Sequence, residues 1–189
     1  MLRIDGLTRR FGDTVAVNDV EFMVPRGTMT GFVGGNGAGK TTTMRMIMGV
    51  LQPTAGRVLW NGREATVADR RTFGYMPEER GLYPKQPVLD QLVYLGRLQG
   101  RSAADARSTA TDLLDRFGLG ERLDDKLESL SLGNQQRVQI AAAVIGGPEL
   151  LVLDEPLTAV DPHTRMRLAR SLGATIERLG IGEIGRAHV

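Results

Sequence analysis

Apolar and polar positions alternate through the first thirty residues. Val20, Phe22 and Val24 fall on one face of a strand with Glu21 and Met23 on the other, and Val15 and Val17 do the same just before them. Pro25-Arg26-Gly27 predicts a turn, and TMTGFV a short buried strand running into a glycine-rich loop. The spacing then becomes helical, with Met44, Ile47, Met48 and Leu51 on one side. Gly56–Arg63 (GRVLWNGR) reads as a strand closed by an Asn-Gly turn. Phe73–Met76 reads as a brief strand leading into a loop with Pro77, Gly81, Pro84 and Pro87.

From Val88 to about Gly146 the pattern is helical, with Val88, Leu92, Leu95 and Leu98 sharing a face. Ser102 with Asp105 resembles a capping box ahead of a helix that ends near Phe117-Gly118. Leu150–Pro156 (LLVLDEP) returns to a short apolar strand, and Pro162 sits at a plausible first position for a last helix to about Leu179. Strands, a helical insert at about 88–146, then strand and helix again predict an α/β domain with a helical lobe.

Composition narrows the function classes. The 24 Lys+Arg against 22 Asp+Glu leave a formal charge of +2, too balanced to argue for nucleic acid. Arg9–Arg10, Arg70–Arg71 and Arg165/Arg167 read as solvated surface. Without cysteine there is no disulfide framework or thiolate metal site, and His163 and His188 are too isolated for zinc. MLRIDGLTRR has no signal-peptide core, and no stretch approaches the roughly 18 apolar residues that span a bilayer. The expectation is a soluble, cytoplasmic chain whose link to a membrane runs through a partner.

Two motifs carry chemistry. Gly34-Gly35-Asn36-Gly37-Ala38-Gly39-Lys40-Thr41 fits the G-x-x-x-x-G-K-[ST] phosphate loop (Walker A), and Thr42 follows it. Its glycines let successive N–H groups point at phosphate oxygens, Lys40 reaches the β- and γ-phosphates, and Thr41 offers a hydroxyl to Mg²⁺. Leu150–Glu155 supplies the companion (Walker B). Asp154, at the end of a buried strand, is placed to hold Mg²⁺, and Glu155 to polarise an attacking water.

A third motif is harder to explain within one chain. In LSLGNQQR a capped helix accounts for Ser131 but not for Gly133 in the first turn, which costs about 1 kcal/mol of helix propensity. The order of phosphate loop, LSLGN and acidic strand resembles the ATP-binding cassette (ABC) family, over roughly residues 1 to 180. The resemblance implies a RecA-like P-loop NTPase core with an N-terminal antiparallel β subdomain and an α-helical signature subdomain. Ser131, Leu132, Gly133 and Asn134 then match the signature that binds ATP held by a second cassette, in a head-to-tail homo- or heterodimer. Phe11 matches the aromatic that stacks on adenine, the other reading being a core strand aromatic. Glu78 falls where the family has the glutamine of its Q-loop, which contacts Mg²⁺ and the attacking water. Asp161 resembles the D-loop aspartate, or caps the last helix; Gln136 and Arg137 are left as structural.

On this resemblance the chain is an ATPase subunit powering an ABC transporter, with ATP and Mg²⁺ as cofactors. It sits on the inner face of the cell membrane through permease subunits, relayed by loops near Glu78–Pro87, with no direct nucleic acid. GYMPEERGLYP followed by SLGNQQ is similar to the bacterial drug- or sodium-efflux branch, which implies an exporter. A soluble ABC ATPase and an ATP-dependent docking module without turnover are the alternatives. Leu132, Asn134 and Gly35 depart from the common pattern without removing a phosphate donor. After Leu179-Gly180 no apolar strand with its histidine is expected, and the switch role is not carried onto His188. Ile184–Val189 back-translate into what looks like a common sequencing-adapter read, and residues 181–189 are read as a non-native tail on an incomplete cassette.

Overall fold

A computed structural model describes residues 1–78 and 81–154, and the backbone of 182–185. In chain order the elements are β1 (Leu2–Phe11), β2 (Thr14–Val24), β3 (Met29–Gly31), α1 (Lys40–Ile47), β4 (Ala55–Trp60), β5 (Arg63–Glu64) and α2 (Val67–Arg70). There follow β6 (Phe73–Met76), α3 (Val88–Leu98), α4 (Ala103–Arg116), α5 (Leu132–Val144), β7 (Leu150–Leu153) and β8 (Gly182–Gly185).

Two four-stranded sheets result, an antiparallel one in the order β2-β1-β4-β5 and a parallel one in the order β3-β8-β7-β6. This is the α/β architecture expected, with the helical lobe α3–α5 inserted between β6 and β7. Strand β7 shows why its four residues are all apolar. Side chains alternate along a strand, and Leu150 and Val152 join the core beneath α1 and the antiparallel sheet, while Leu151 and Leu153 join the core of the helical lobe. A strand buried on both faces reads as a continuous apolar run. Trp60 meets Phe73 edge-on at 4.9 Å, tying the antiparallel sheet to β6.

Several expectations change. Val20, Phe22 and Val24 do point inward, but Val15 is exposed while Val17 is buried. The register explains this: Arg9 faces Val17 and Arg10 faces Val15, so Ala16 is an extra residue, a bulge that breaks the alternation. TMTGFV is not a buried strand: β3 ends the parallel sheet, and Met29 and Val33 are 58% and 60% exposed. Leu98 is exposed because α3 ends there. Arg70 is not solvated surface; its guanidinium donates to the Ile47 carbonyl at 3.0 Å and to Ala65 at 2.7 Å, capping α1. Ser102 caps α4 through the Asp105 N–H at 3.1 Å, whereas the reciprocal capping box belongs to Thr66 and Asp69 at α2. Finally, Gly182–Gly185 forms a strand where none was expected, paired in parallel to β3 and β7. Gly-Glu-Ile-Gly has poor strand propensity, but two flanking ladders supply backbone partners that override it.

Candidate active site

The phosphate loop leaves the carboxyl end of β3 and becomes α1, where ligands of open α/β sheets bind. Gly39 caps the helix in a left-handed conformation, φ +80°, and its carbonyl accepts the Thr43 N–H at 2.8 Å and the Thr43 hydroxyl at 2.9 Å. A Cβ at Gly39 would lie 2.3 Å from the Ala16 carbonyl oxygen, so the bulge in β2 is pressed directly against the loop. Ala16 and Gly37–Thr42 line a cavity of about 160 Å³. Lys40 is 4% exposed, and its ammonium is held by the carbonyls of Gly34 and Gly35, the latter at 2.5 Å.

Asp154 lies at the carboxyl end of β7, wholly buried, with its N–H on the Met76 carbonyl at 2.9 Å. That bond sets it beside the chain leaving β6 towards Glu78. Tyr75 reports the same grouping. Burial pushes its phenol above the ordinary value, the charge of Asp154 pushes the same way, Arg45 opposes, and Glu78 adds a smaller push upward. Arg45 of α1, Asp154 and Glu78 thus all act on Tyr75 of β6, which relates the helix of Thr41 to the acidic strand ends. Thr41 and Arg45 are four residues apart on α1 and share a face. A hydroxyl and a buried carboxylate are hard oxygen donors of the kind Mg²⁺ takes when phosphates complete its shell. Among the described residues no group of three or more His, Cys, Asp or Glu could hold a metal by itself.

Phe11 is 48% exposed at the tip of the β1–β2 hairpin, paired with Thr14 and with the Arg9 guanidinium 4.5 Å above its ring. It is not a core aromatic. The hairpin that carries it is the one whose bulge touches Gly39. Ala16 was missed by sequence reasoning, and no local signal marks it: its role lies in a carbonyl direction set by a register slip.

The LSLGN segment lies in another part of the fold. Ser131 caps α5, accepting the Asn134 N–H at 3.4 Å; Ser131 and Leu132 are exposed, Gly133 and Asn134 half-buried. Helix starts leave amides without intrahelical partners, and this start is exposed at Ser131 and Leu132. The helix is seated firmly behind that start. A Cβ at Gly74 of β6 would lie 2.2 Å from the Ala143 carbonyl, so α5 packs backbone to backbone on β6. Arg137 donates to the Phe117 carbonyl at 3.2 Å, closing the end of α4, which fits its structural reading. Glu155, Asp161, Pro162, His163, Arg165, Arg167 and His188 lie outside the described residues.

Comparison with known proteins agrees in sequence and in fold. A family model described as "ABC transporter" matches residues 17–158. An uncharacterized ABC transporter ATP-binding protein, YhaQ of Bacillus subtilis, is 43% identical over 188 residues, covering 100% of this chain and 63% of the relative. The daunorubicin/doxorubicin resistance ATP-binding protein DrrA of Streptomyces peucetius is 39% identical over 171 residues, 87% of this chain and 51% of the relative. This chain thus spans about half to two thirds of such relatives' length. The solved structure of cbiO1 from Clostridium perfringens, part of the ABC transporter complex cbiONQ, superposes with a TM-score of 0.89 at 26% identity, covering 100% of this chain and 78% of that one. Among the described residues no helix is long and apolar enough to cross a membrane.

Proposed function

Because this chain belongs to the ABC transporter family, we propose that it is the ATP-binding and ATP-hydrolysing subunit that powers a transporter through ATP-driven dimerisation. The observation that carries the reading is the phosphate loop at the carboxyl end of a parallel sheet, with buried Lys40 in it and buried Asp154 at the end of a strand of the same sheet.

The loop amides of Gly34–Thr42 and Lys40 bind and orient the triphosphate, and the amino end of α1 is directed at its charge. Phe11 stacks on the base. Thr41 and Asp154 hold Mg²⁺, with Glu78 as a further carboxylate beside it. Held there, the ion would supply positive charge to offset that of the triphosphate. Glu155 accepts the proton of the attacking water. Ser131, Leu132, Gly133 and Asn134 complete the site of a second cassette, and Asp161 reaches across the same dimer.

Permease subunits are engaged through the Glu78–Pro87 loop, which holds this chain to the inner face of the membrane. A cavity of about 240 Å³ between β6, Gly81-Leu82 and α5 lies behind that loop. Export is supported by the GYMPEERGLYP wording and by the similarity to a protein named for daunorubicin/doxorubicin resistance. The test is steady-state phosphate release by the parent and by Glu155→Gln. Turnover should fall at least about a hundredfold, the size of a general-base contribution, with nucleotide affinity retained. Equal turnover would remove Glu155 from the mechanism.

A further inference from the structure

Gln91 occupies the fourth position of α3 and is 2% exposed, on a helix that also buries Val88, Leu89 and Leu92. A buried amide needs partners, and it finds them in the loop that follows Glu78. Its Oε1 accepts the Tyr83 N–H at 2.8 Å. Its Nε2 donates to the Gln86 carbonyl at 3.0 Å and, at 3.4 Å, to Pro87.

The same loop is stitched to the residues that lead into Ser131. Leu127 N–H donates to Gln86 at 3.2 Å and Glu128 N–H to Pro84 at 2.9 Å, with a backbone bridge between Pro87 and Lys126. The first two amides of α3, Val88 and Leu89, donate to Asp125 at 3.0 Å and Leu123 at 2.9 Å. Such amides are orphans at a helix start, and Pro87 offers no side-chain cap, so this seam does the capping. The Gln86 carbonyl is where the two systems meet, with one lone pair taken by Gln91 and the other by Leu127. Four residues beyond Leu127 stands Ser131.

We infer that Gln91 is a positioning residue that holds the loop after Glu78 in register with Leu123–Ser129 and so sets where Ser131 and the first turn of α5 are presented. Its bearing on the reaction rests on the reading of Ser131–Asn134 as the site for a second cassette's ATP. A shift of the loop near Glu78 then passes through the seam to the signature. A core amide that only stabilised the lobe would have no such directed effect.

Gln91→Met keeps the side chain's length and removes its hydrogen bonds. Hydrogen exchange of the full chain without nucleotide should rise about tenfold in peptides covering 81–89 and 123–134, the loss of one charge-neutral bond's worth of protection. Peptides of α1 and of β1–β2 should be unchanged. A uniform rise everywhere, or no rise at 129–134, overturns the inference. Gln91→Glu keeps the acceptor for Tyr83 but not the donor to Gln86, and it decides by the same criterion if the methionine variant fails to fold. As a second readout, Gln91→Met in the Glu155→Gln background should raise the ATP concentration needed for association several-fold in sedimentation, with the affinity of a fluorescent ATP analogue for the phosphate loop unchanged. Unchanged association would overturn the link to the signature. If Glu155→Gln alone does not associate with ATP, the dimer reading fails, while the exchange pattern still decides on Gln91.

Discussion

Two glycines of the phosphate loop have the same backbone conformation and different surroundings, which makes them a test of packing against conformation. Gly37 and Gly39 lie at φ +78° and +80°. A side chain at either position carries the left-handed penalty of about 1–2 kcal/mol. At Gly37 nothing lies within 4 Å of the added carbon, so that penalty is the whole expected cost. At Gly39 the carbon would lie 2.3 Å from the Ala16 carbonyl oxygen and 2.8 Å from a Val17 methyl. The oxygen is backbone and cannot rotate away, so the loop or the bulge must shift, adding about 1–3 kcal/mol of overpacking. Gly39→Ala should therefore unfold about 1–3 kcal/mol more easily than Gly37→Ala in urea titration, provided the denaturant slopes agree. Because Lys40 follows Gly39 directly, Gly39→Ala should also weaken binding of a fluorescent ATP analogue. Equal stability for the two variants would show that the β2 bulge does not support the loop.

Other outcomes follow from the same contacts. Arg70→Ala removes two charged hydrogen bonds to the Ile47 and Ala65 carbonyls and should cost about 1–3 kcal/mol by urea titration; no change would return Arg70 to the solvated surface. Asp69 is held far below the usual carboxylate range, first by its bond to Arg63 and then by Thr66. Its contribution is therefore present above about pH 4 and lost as pH falls, so the Tm gap between the parent and Asp69→Asn should narrow below about pH 4; a gap constant down to pH 3 contradicts this. Gly74→Ala should lever α5 off β6 at a cost of about 1–3 kcal/mol, read by thermal unfolding, with a neutral result refuting the close approach. Lys40→Ala should weaken affinity for the ATP analogue about tenfold or more, and unaltered binding would exclude Lys40 as a phosphate ligand.

What the sequence disclosed was local. The phosphate loop is legible because its function needs glycines, a lysine and a hydroxyl at contiguous positions, and strand β7 because burial on both faces demands an unbroken apolar run. The Asn61-Gly62 turn is legible for the same reason, since both residues must take positive φ, as they do at +51° and +85°. What stayed hidden depends on partners distant in the chain. Met29 is exposed on β3, at the end of the parallel sheet formed by the described residues, and Arg70 serves a helix that ended 23 residues earlier. The strand at Gly182–Gly185 is made by two neighbouring ladders rather than by its own residues. Gln91 reads as an ordinary polar position until the fold buries it.

The separation of the two phosphate-binding motifs has a physical consequence. Gly34–Thr41 and Asp154 lie at the carboxyl ends of strands of the parallel sheet, whereas Ser131 belongs to the helical lobe and is exposed. The lobe is not hinged loosely on that sheet. Gly74 brings α5 onto β6 at backbone distance, and Asp154 bonds to the last residue of the same strand. The residues around Glu78 leave that strand and run into the loop that Gln91 holds. A change at the carboxyl ends of β6 and β7 can thus reach α5 by two routes, the helix–strand contact and the Gln86 seam. The first is rigid, because backbone pressed on backbone cannot yield without separating. The second runs through hydrogen bonds of 2.8–3.2 Å that can be exchanged for others. Loss of Gly74 packing should therefore lower stability throughout, while loss of the Gln91 bonds should leave most of the fold intact and loosen only the 81–89 loop, the segment it is stitched to and the exposed start of α5.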